Sequence, residues 1–260
     1  MTRPIKKRGW LAFTAELVTV SLGVFMGFQL TQWNEDRKMQ NRAQSALIRL
    51  QIESEEIVRY FQSRVNRFEN NNQAIETTVA ALSEGRLDPT DAEDFAKGVE
   101  IVSIYPAISP PSGVYDELKN AGFLREIERA DVSHALAEYY SELEFLKGQL
   151  NYFRQIMPQL VVESLYGPTP VYDPEDEIRV RLEFEFDSLV RDQTYVSNMV
   201  VALAGQRTFQ TWRYAVLARA ERLCRVVSAA VSARCAPLEN LTSTASANAV
   251  LTLKKTASTG

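Results

Sequence analysis

The sequence predicts an all-α protein in which a single N-terminal transmembrane helix continues into a helical bundle. Three observations support this prediction. Residues 10–33 form a largely apolar run, no proline or glycine occurs between Thr31 and Glu84, and apolar residues there recur near every seventh position. Only the stretch "EIRVRLEFEF" alternates as a strand does, which leaves room for one isolated extended segment.

The 260 residues divide into four predicted parts. Residues 1–9 form a basic cytoplasmic N-terminus, residues 10–33 the transmembrane helix, and residues 34–237 a helical extracytoplasmic domain. Residues 238–260 form a tail that is rich in small polar residues and is predicted to be disordered. A hydrophobic content of 45% suffices for a core, and a net charge of −4 gives no reason to expect a nucleic acid as partner.

The apolar run is long enough to cross a lipid bilayer. Its 24 residues extend about 36 Å as a helix. Trp10 and Trp33 stand at its two ends, where the indole ring is favoured as an interfacial anchor. A cleaved signal peptide would need small residues after the apolar run, but "FQLTQWNED" has bulky and polar ones. We therefore expect an uncleaved signal anchor in a single-pass protein.

The charges around the run predict its orientation. Four cations and no acid precede it, namely Arg3, Lys6, Lys7 and Arg8. The cations that follow it are mixed with Glu35 and Asp36. Because Lys and Arg are retained on the cytoplasmic side, the N-terminus is expected in the cytoplasm and the large domain in the periplasm.

One side of the predicted membrane helix has the character of a packing surface. At about 100° per residue, it collects a carboxylate, small residues and hydroxyls, namely Glu16, Thr19, Gly23, Gly27 and Thr31. Two glycines four residues apart let another helix approach closely. The alternative is that Glu16 is protonated or reaches the interface and that the glycines are incidental. The expected partners are other membrane protein subunits or further copies of this chain.

Two segments resemble a family of uncharacterised bacterial single-span membrane proteins. The first is "AELVTVSLGVFMGFQLTQWNEDRK". The second, "SGVYDELKNAGFLREIERADVSHALAEYY", is similar to the family's Tyr-x-x-Leu-x-x-x-Gly-x-Leu-x-x-Ile segment through Tyr115, Leu118, Gly122, Leu124 and Ile127. The resemblance implies a mostly helical protein anchored in the bacterial inner membrane. It brings no activity, cofactor or catalytic residue.

The domain after the membrane run is predicted to be mostly helical. Residues 34–82 read as one helix whose apolar side is Leu47, Leu50, Ile57, Phe61, Phe68, Ile75 and Leu82. The aromatic rings of Phe61 and Phe68 are wide for the narrow seam of a two-stranded coiled coil, so an intramolecular bundle is favoured. Gly85 ends this helix, and a short helix then reaches about Ser103.

Four further helix boundaries are predicted from capping and breaking residues. Ser112 is expected to cap a short helix that stops at Gly122, and Asp131 to cap the next helix. Pro158 is expected to kink or break that helix.

The C-terminal third combines the alternating stretch with further helix. No partner strand is evident for residues 177–186, which we expect to lie across the helices or to pair with another copy. Residues 190–234 are expected to be helical, with Ala204–Gly205 as a possible turn between two helices. Several arginines exclude a second membrane span there.

The two cysteines are expected to be unpaired. On one continuous helix, Cys224 and Cys235 would stand about 16 Å apart, too far for a disulfide. A disulfide would require the helix to end before Cys235, which Ala236–Pro237 permit.

No catalytic residue, cofactor site or metal site is predicted. His134 is the single histidine and lacks a second ligand at metal-binding spacing, so a surface or neutral imidazole is expected. The aromatic residues of the helix around it are expected in the core rather than in a ligand pocket, namely Tyr139, Tyr140, Phe145, Tyr152 and Phe153.

The expected function is that of a non-enzymatic accessory or scaffold subunit of a bacterial inner-membrane complex. It would dock through its transmembrane helix and its periplasmic domain. The alternative is a periplasmic sensory or ligand-binding helical module that works with a separate membrane partner.

Overall fold

A computed structural model describes residues 8–125, 127, 129–162, 167–174 and 180–237. Within its helices and strands, the side chains of residues 8–15, 18–20, 36, 125, 157–162, 180 and 181 are not among those described. The basic residues 1–7, the tail 238–260 and the side chains of Trp10 and Thr19 therefore lie outside the described part, so the predictions made for them stay predictions.

The described chain is mostly helical, as predicted. Its helices are α1 (Arg8–Glu84), α2 (Ala92–Ile101), α3 (Gly113–Asn120), α4 (Ala130–Val162), α5 (Phe186–Arg191) and α6 (Gln193–Ala230). Its strands are β1 (Thr169–Tyr172) and β2 (Val180–Glu183). Helix α1 runs without interruption from the predicted membrane segment into the folded domain, which confirms the continuous helix predicted from residue 34 onward.

The core lies between three long helices. Helix α6 packs against both α1 and α4, and α2 packs on the C-terminal half of α1. All seven apolar positions predicted for α1 are buried. The intramolecular bundle is therefore confirmed for this helix, because its apolar stripe is covered by helices of the same chain.

The predicted end of α1 is also confirmed. Gly85 has a positive φ of 66°, which glycine adopts without steric cost. The amide of Arg86 then donates to the carbonyl of Ala81 at 3.1 Å, as in a glycine-ended helix terminus.

Two predicted helix boundaries are wrong, and a break at Pro158 is excluded. Helix α6 continues through Ala204–Gly205, because Gly205 is buried on the core side of the helix and serves packing rather than a turn. Helix α4 continues through Pro158 to Val162, so this proline does not break it, and the alternative of a kink stays a prediction. Helix α4 also begins at Ala130, which places Asp131 in its first turn, 2.7 Å from Arg129, rather than at its cap.

The alternating stretch has a partner strand, contrary to the prediction. Strand β2 pairs antiparallel with β1, and Val171 lies opposite Arg181. The partner sequence "TPVY" is too short to show alternation, which is why the sequence concealed it. After β2, Phe184 and Phe186 place their rings 5.6 and 5.4 Å from that of Phe95 on α2 and so join the core.

Among the described residues, no helix has a stretch both long and apolar enough to cross a membrane. The structure thus gives no support to the predicted span of residues 10–33, which stays a prediction from the sequence.

The expectation of two free thiols is wrong, and the alternative of a disulfide is confirmed. Helix α6 ends at Ala230, and Ser232 has a φ of 58° that reverses the chain. This turn brings the Cα of Cys235 to 5.5 Å from that of Cys224, and the two residues form a disulfide.

We expect replacement of both cysteines by alanine to lower the free energy of unfolding by about 2–3 kcal/mol. The disulfide closes a short loop, and losing it gives the unfolded chain more conformational entropy. Chemical denaturation of the full chain in detergent, followed by circular dichroism, measures the change. Wild-type protein under reducing conditions should match the double variant. Equal stability of oxidised, reduced and substituted protein would contradict this prediction.

Candidate functional site

The N-terminal part of α1 projects away from the bundle. Every side chain described between Glu16 and Arg42 is exposed, over about 40 Å of helix. Large apolar side chains in this part are 50–69% exposed, namely Leu17, Leu22, Val24, Phe25, Met26, Phe28, Leu30 and Trp33. So much contiguous apolar surface is unusual for a monomer in water and marks a lipid or protein interaction surface.

The glycines predicted for a packing face are open. A Cβ atom built on Gly23 or on Gly27 meets no other atom within 4 Å. Thr31 donates its hydroxyl to the carbonyl of Gly27 at 2.9 Å, so the hydroxyl is satisfied within the helix. Glu16 is exposed, and the side chain of Thr19 is outside the described part. Nothing in the described chain covers the glycines.

This glycine side lies opposite the side that packs in the bundle. Taking Gly23 as zero and about 100° per residue, Leu50 lies at about 180° and Ile57 at about 160°. Both are 1% exposed. The bundle therefore packs against one side of α1, and the glycine side remains exposed from Gly23 to Ile52.

The side of α1 that bears the predicted packing face continues beyond its last predicted residue, Thr31. On the same helical wheel, Asn34, Asn41, Ile48 and Ile52 lie within about 20° of Gly23. Ile48 and Ile52 are 45% and 52% exposed although they belong to the folded domain. We call the row of Gly23, Gly27, Asn34, Asn41, Ile48 and Ile52 the outer face of α1. Its spacing was readable in the sequence, but only the structure shows that the isoleucines are not core.

Two contacts lie beside the outer face. The guanidinium of Arg37 lies 4.8 Å from the ring centroid of Trp33, which adds a cation to the predicted interfacial anchor. Beyond Ile52, the amide of Ala236 donates to Glu55 at 2.9 Å, so the segment after the disulfide limits the face there.

A buried carboxylate fixes α3 to the bundle side of α1. Glu53 is 5% exposed, and its two oxygens accept the amides of Val114 and Tyr115 at 2.6 and 3.0 Å. These are first-turn amides of α3, which have no partner within their own helix. The expected cap, Ser112, instead donates to Asp116 at 2.8 Å. Glu53, a residue of α1, therefore takes the capping role that was predicted for Ser112.

The aromatic residues of α4 divide between core and surface. Tyr139 and Phe153 are buried as predicted, and burial raises the pKa of the Tyr139 hydroxyl. Phe145 and Tyr152, in contrast, are 46% and 57% exposed, so the core prediction is wrong for them.

A cleft of about 410 Å³ lies between α3 and α4, where the rings of Tyr115 and Tyr140 stack with centroids 3.6 Å apart. Its charged groups include Lys147, which is paired with Glu144 at 2.9 Å. An open cleft with internally paired charges gives weaker support to a ligand-binding role than a convergent apolar pocket would.

No cluster of three metal-binding side chains occurs among the residues that the structure describes. His134 has an exposed side chain 3.2 Å from Glu138, in agreement with the surface imidazole expected.

Fold and surface together define a helical bundle with a projecting N-terminal helix. Comparison with protein-family models, curated proteins and solved structures finds no match to this chain. The family resemblance therefore stays a prediction.

Proposed function

We propose that this protein is a non-enzymatic accessory subunit of a bacterial inner-membrane complex, anchored by residues 10–33. The outer face of α1 docks against a helix of another subunit, and the helical domain holds that face in position. The observation that carries the proposal is one continuous exposed row from Gly23 to Ile52, opposite the side that packs in the bundle.

The chemistry of the outer face changes along the helix as a membrane-crossing contact requires. Within the predicted span, Gly23 and Gly27 permit close backbone approach where van der Waals packing drives association. Beyond Trp33, the face contains Asn34 and Asn41 and then the exposed Ile48 and Ile52. In water, the burial of these two isoleucines by a partner is driven by the hydrophobic effect. One straight helix of a partner can contact both parts.

The disulfide supports a periplasmic location for the domain. Disulfides such as Cys224–Cys235 persist in oxidising compartments and are rare in the cytosol. The basic residues before the span favour the same orientation.

We expect Gly27→Leu to weaken association in the membrane by roughly tenfold or more. A leucine side chain there separates the two backbones and removes their close contact. The measurement is the size of the complex, by native electrophoresis after mild detergent extraction and by cross-linking in intact membranes. Ile48→Asp is expected to act in the same direction through the part of the face beyond the span.

Val24→Leu is the matched control. Val24 is 69% exposed and lies about 100° away from Gly23, so enlarging it leaves the outer face unchanged. Wild-type protein that is a lone monomer both in detergent and in membranes would refute the proposed function. Complexes of the same size and amount for wild type and Gly27→Leu would show that the glycines do not contribute to docking. A complex that contains only copies of this chain would make the partner helix a second α1.

A further inference from the structure

Arg213, in the middle of α6, is a buried arginine enclosed by aromatic rings. Arg213 is 2% exposed. Its guanidinium carbon lies 3.1 Å from the ring centroid of Phe68 on α1 and 4.2 Å from that of Phe209. The faces of the guanidinium are thus occupied by π-systems, which leaves its N–H groups to find acceptors along its edge.

Those N–H groups have no protein acceptor in the described chain. Both terminal nitrogens, Nη1 and Nη2, are buried without a hydrogen-bond partner there. Burial lowers the pKa of Arg213 to about 9, and the nearby charge of Arg64 acts in the same direction. The group is still mostly cationic at neutral pH, so a buried positive charge lacks a counter-ion among the described residues.

A small cavity adjoins this charge. Its volume is about 10 Å³, close to the minimum that one water-sized particle needs. Helix α1 contributes Phe61, Arg64, Val65 and Phe68, and residues 106–108 cover the cavity from the loop before α3. Two of the lining residues are arginines and none is a carboxylate. The cavity therefore has a positive potential and apolar walls.

We propose that this cavity binds a small monovalent inorganic anion of the size of chloride, held by Arg213 and Arg64 beneath residues 106–108. A water molecule would accept hydrogen bonds from Arg213 but leave its charge uncompensated. An anion accepts these hydrogen bonds and also compensates the charge. Chloride is larger than a water molecule, so its entry requires the half-buried side chain of Arg64 to move outward.

The site joins α1, α6 and the loop before α3, so occupancy is expected to stabilise the fold. The experiment compares the thermal unfolding of the full chain in detergent with sodium chloride and with sodium gluconate, at equal ionic strength. We expect chloride to raise Tm on the order of 3 °C relative to gluconate, and bromide to replace chloride. Sulfate is expected to have a smaller effect, because it is larger and more strongly hydrated than chloride.

Arg213→Met should abolish the difference between chloride and gluconate. The control is Arg207→Met on the same helix, because Arg207 is exposed and paired with Glu76 at 2.5 Å. This variant should retain the full chloride response. If Arg213→Met fails to fold, Arg64→Met tests the same site from α1 and should reduce the response.

Line broadening of the ³⁵Cl resonance by wild-type protein, lost on adding excess bromide, provides a direct measure of binding. Wild-type Tm values that are equal in chloride and gluconate would overturn the proposal, as would a response that Arg213→Met leaves intact. Absence of ³⁵Cl broadening would have the same consequence, and the cavity would then hold only water. None of these results bears on the docking of α1, so the two proposals fail independently.

Discussion

Replacing Gly98 with alanine is expected to lower the free energy of unfolding by about 3 kcal/mol. Gly98 is a buried residue of α2, at the crossing with α1. A Cβ atom there would lie 2.5 Å from the carbonyl oxygen of Ala74 and would overlap the hydroxyl of Thr78.

The overlap with Ala74 involves backbone, which cannot move aside without displacing α1. The hydroxyl of Thr78 is also constrained, because it lies 3.0 Å from the carbonyl oxygens of both Ala74 and Phe95 and bonds the two helices together. The methyl group therefore forces α2 away from α1 and breaks this bond. Alanine has the better helix propensity, by about 1 kcal/mol, but this gain does not offset the clash.

Gly148→Ala on α4 is the matched control. It is the same substitution within a helix, but nothing lies within 4 Å of the added Cβ atom. Its expected effect is a gain of roughly 0.5–1 kcal/mol, since alanine restricts the unfolded chain. Urea denaturation of wild type and both variants measures the difference. A Gly98→Ala protein as stable as wild type would show that α2 does not approach α1 this closely.

Glu53→Ala is expected to cost about 2–3 kcal/mol. Two first-turn amides of α3 lose their acceptors in a site from which water is largely excluded. The negative charge also faces the positive end of the α3 dipole, which adds to the loss. Chemical denaturation measures the loss in the free energy of unfolding. Hydrogen exchange at residues 113–120 shows whether α3 opens before the rest of the bundle.

Two variants separate the capping role of Glu53 from a general effect of charge. Glu53→Gln keeps one oxygen acceptor and is expected to lose less than the alanine variant. Glu117→Ala removes an exposed carboxylate of α3 that pairs with Arg49 on α1. It is expected to remain near wild type because exposed ion pairs contribute little. Equal losses for Glu53→Ala and Glu117→Ala would contradict the capping role.

The features of α1 that depend on neighbours in sequence were predicted correctly. The seven-residue spacing identified its buried side, and Gly85 identified its end, because helix periodicity and a positive φ are properties of a few adjacent residues. The same spacing placed Gly23 and Gly27 on one side of the helix. It did not reveal that the exposed Ile48 and Ile52 continue that side, since an isoleucine in a helix can be either buried or exposed.

The features that depend on distant residues were not accessible in this way. Glu53 caps a helix about 60 residues further along the chain, and the nearby Ser112 was the better local candidate. Gly205 looked like a turn because its burial against the rest of the bundle leaves no local signal. The disulfide depended on where α6 ends. A helix continued past Ala230 would hold the two cysteines about 16 Å apart. The observed helix end instead brings their Cα atoms to 5.5 Å.

The sequence by itself therefore determined the helical class, the continuous first helix with its buried stripe, and the placement of Gly23 and Gly27 on one side of that helix. The tertiary structure alone decided which helix covers that stripe, which side chain caps α3, how the cysteines pair and where Arg213 is buried. The reason is physical. Periodicity and capping are set by interactions within one or two helical turns, whereas burial and pairing are set by which distant segments meet when the chain folds.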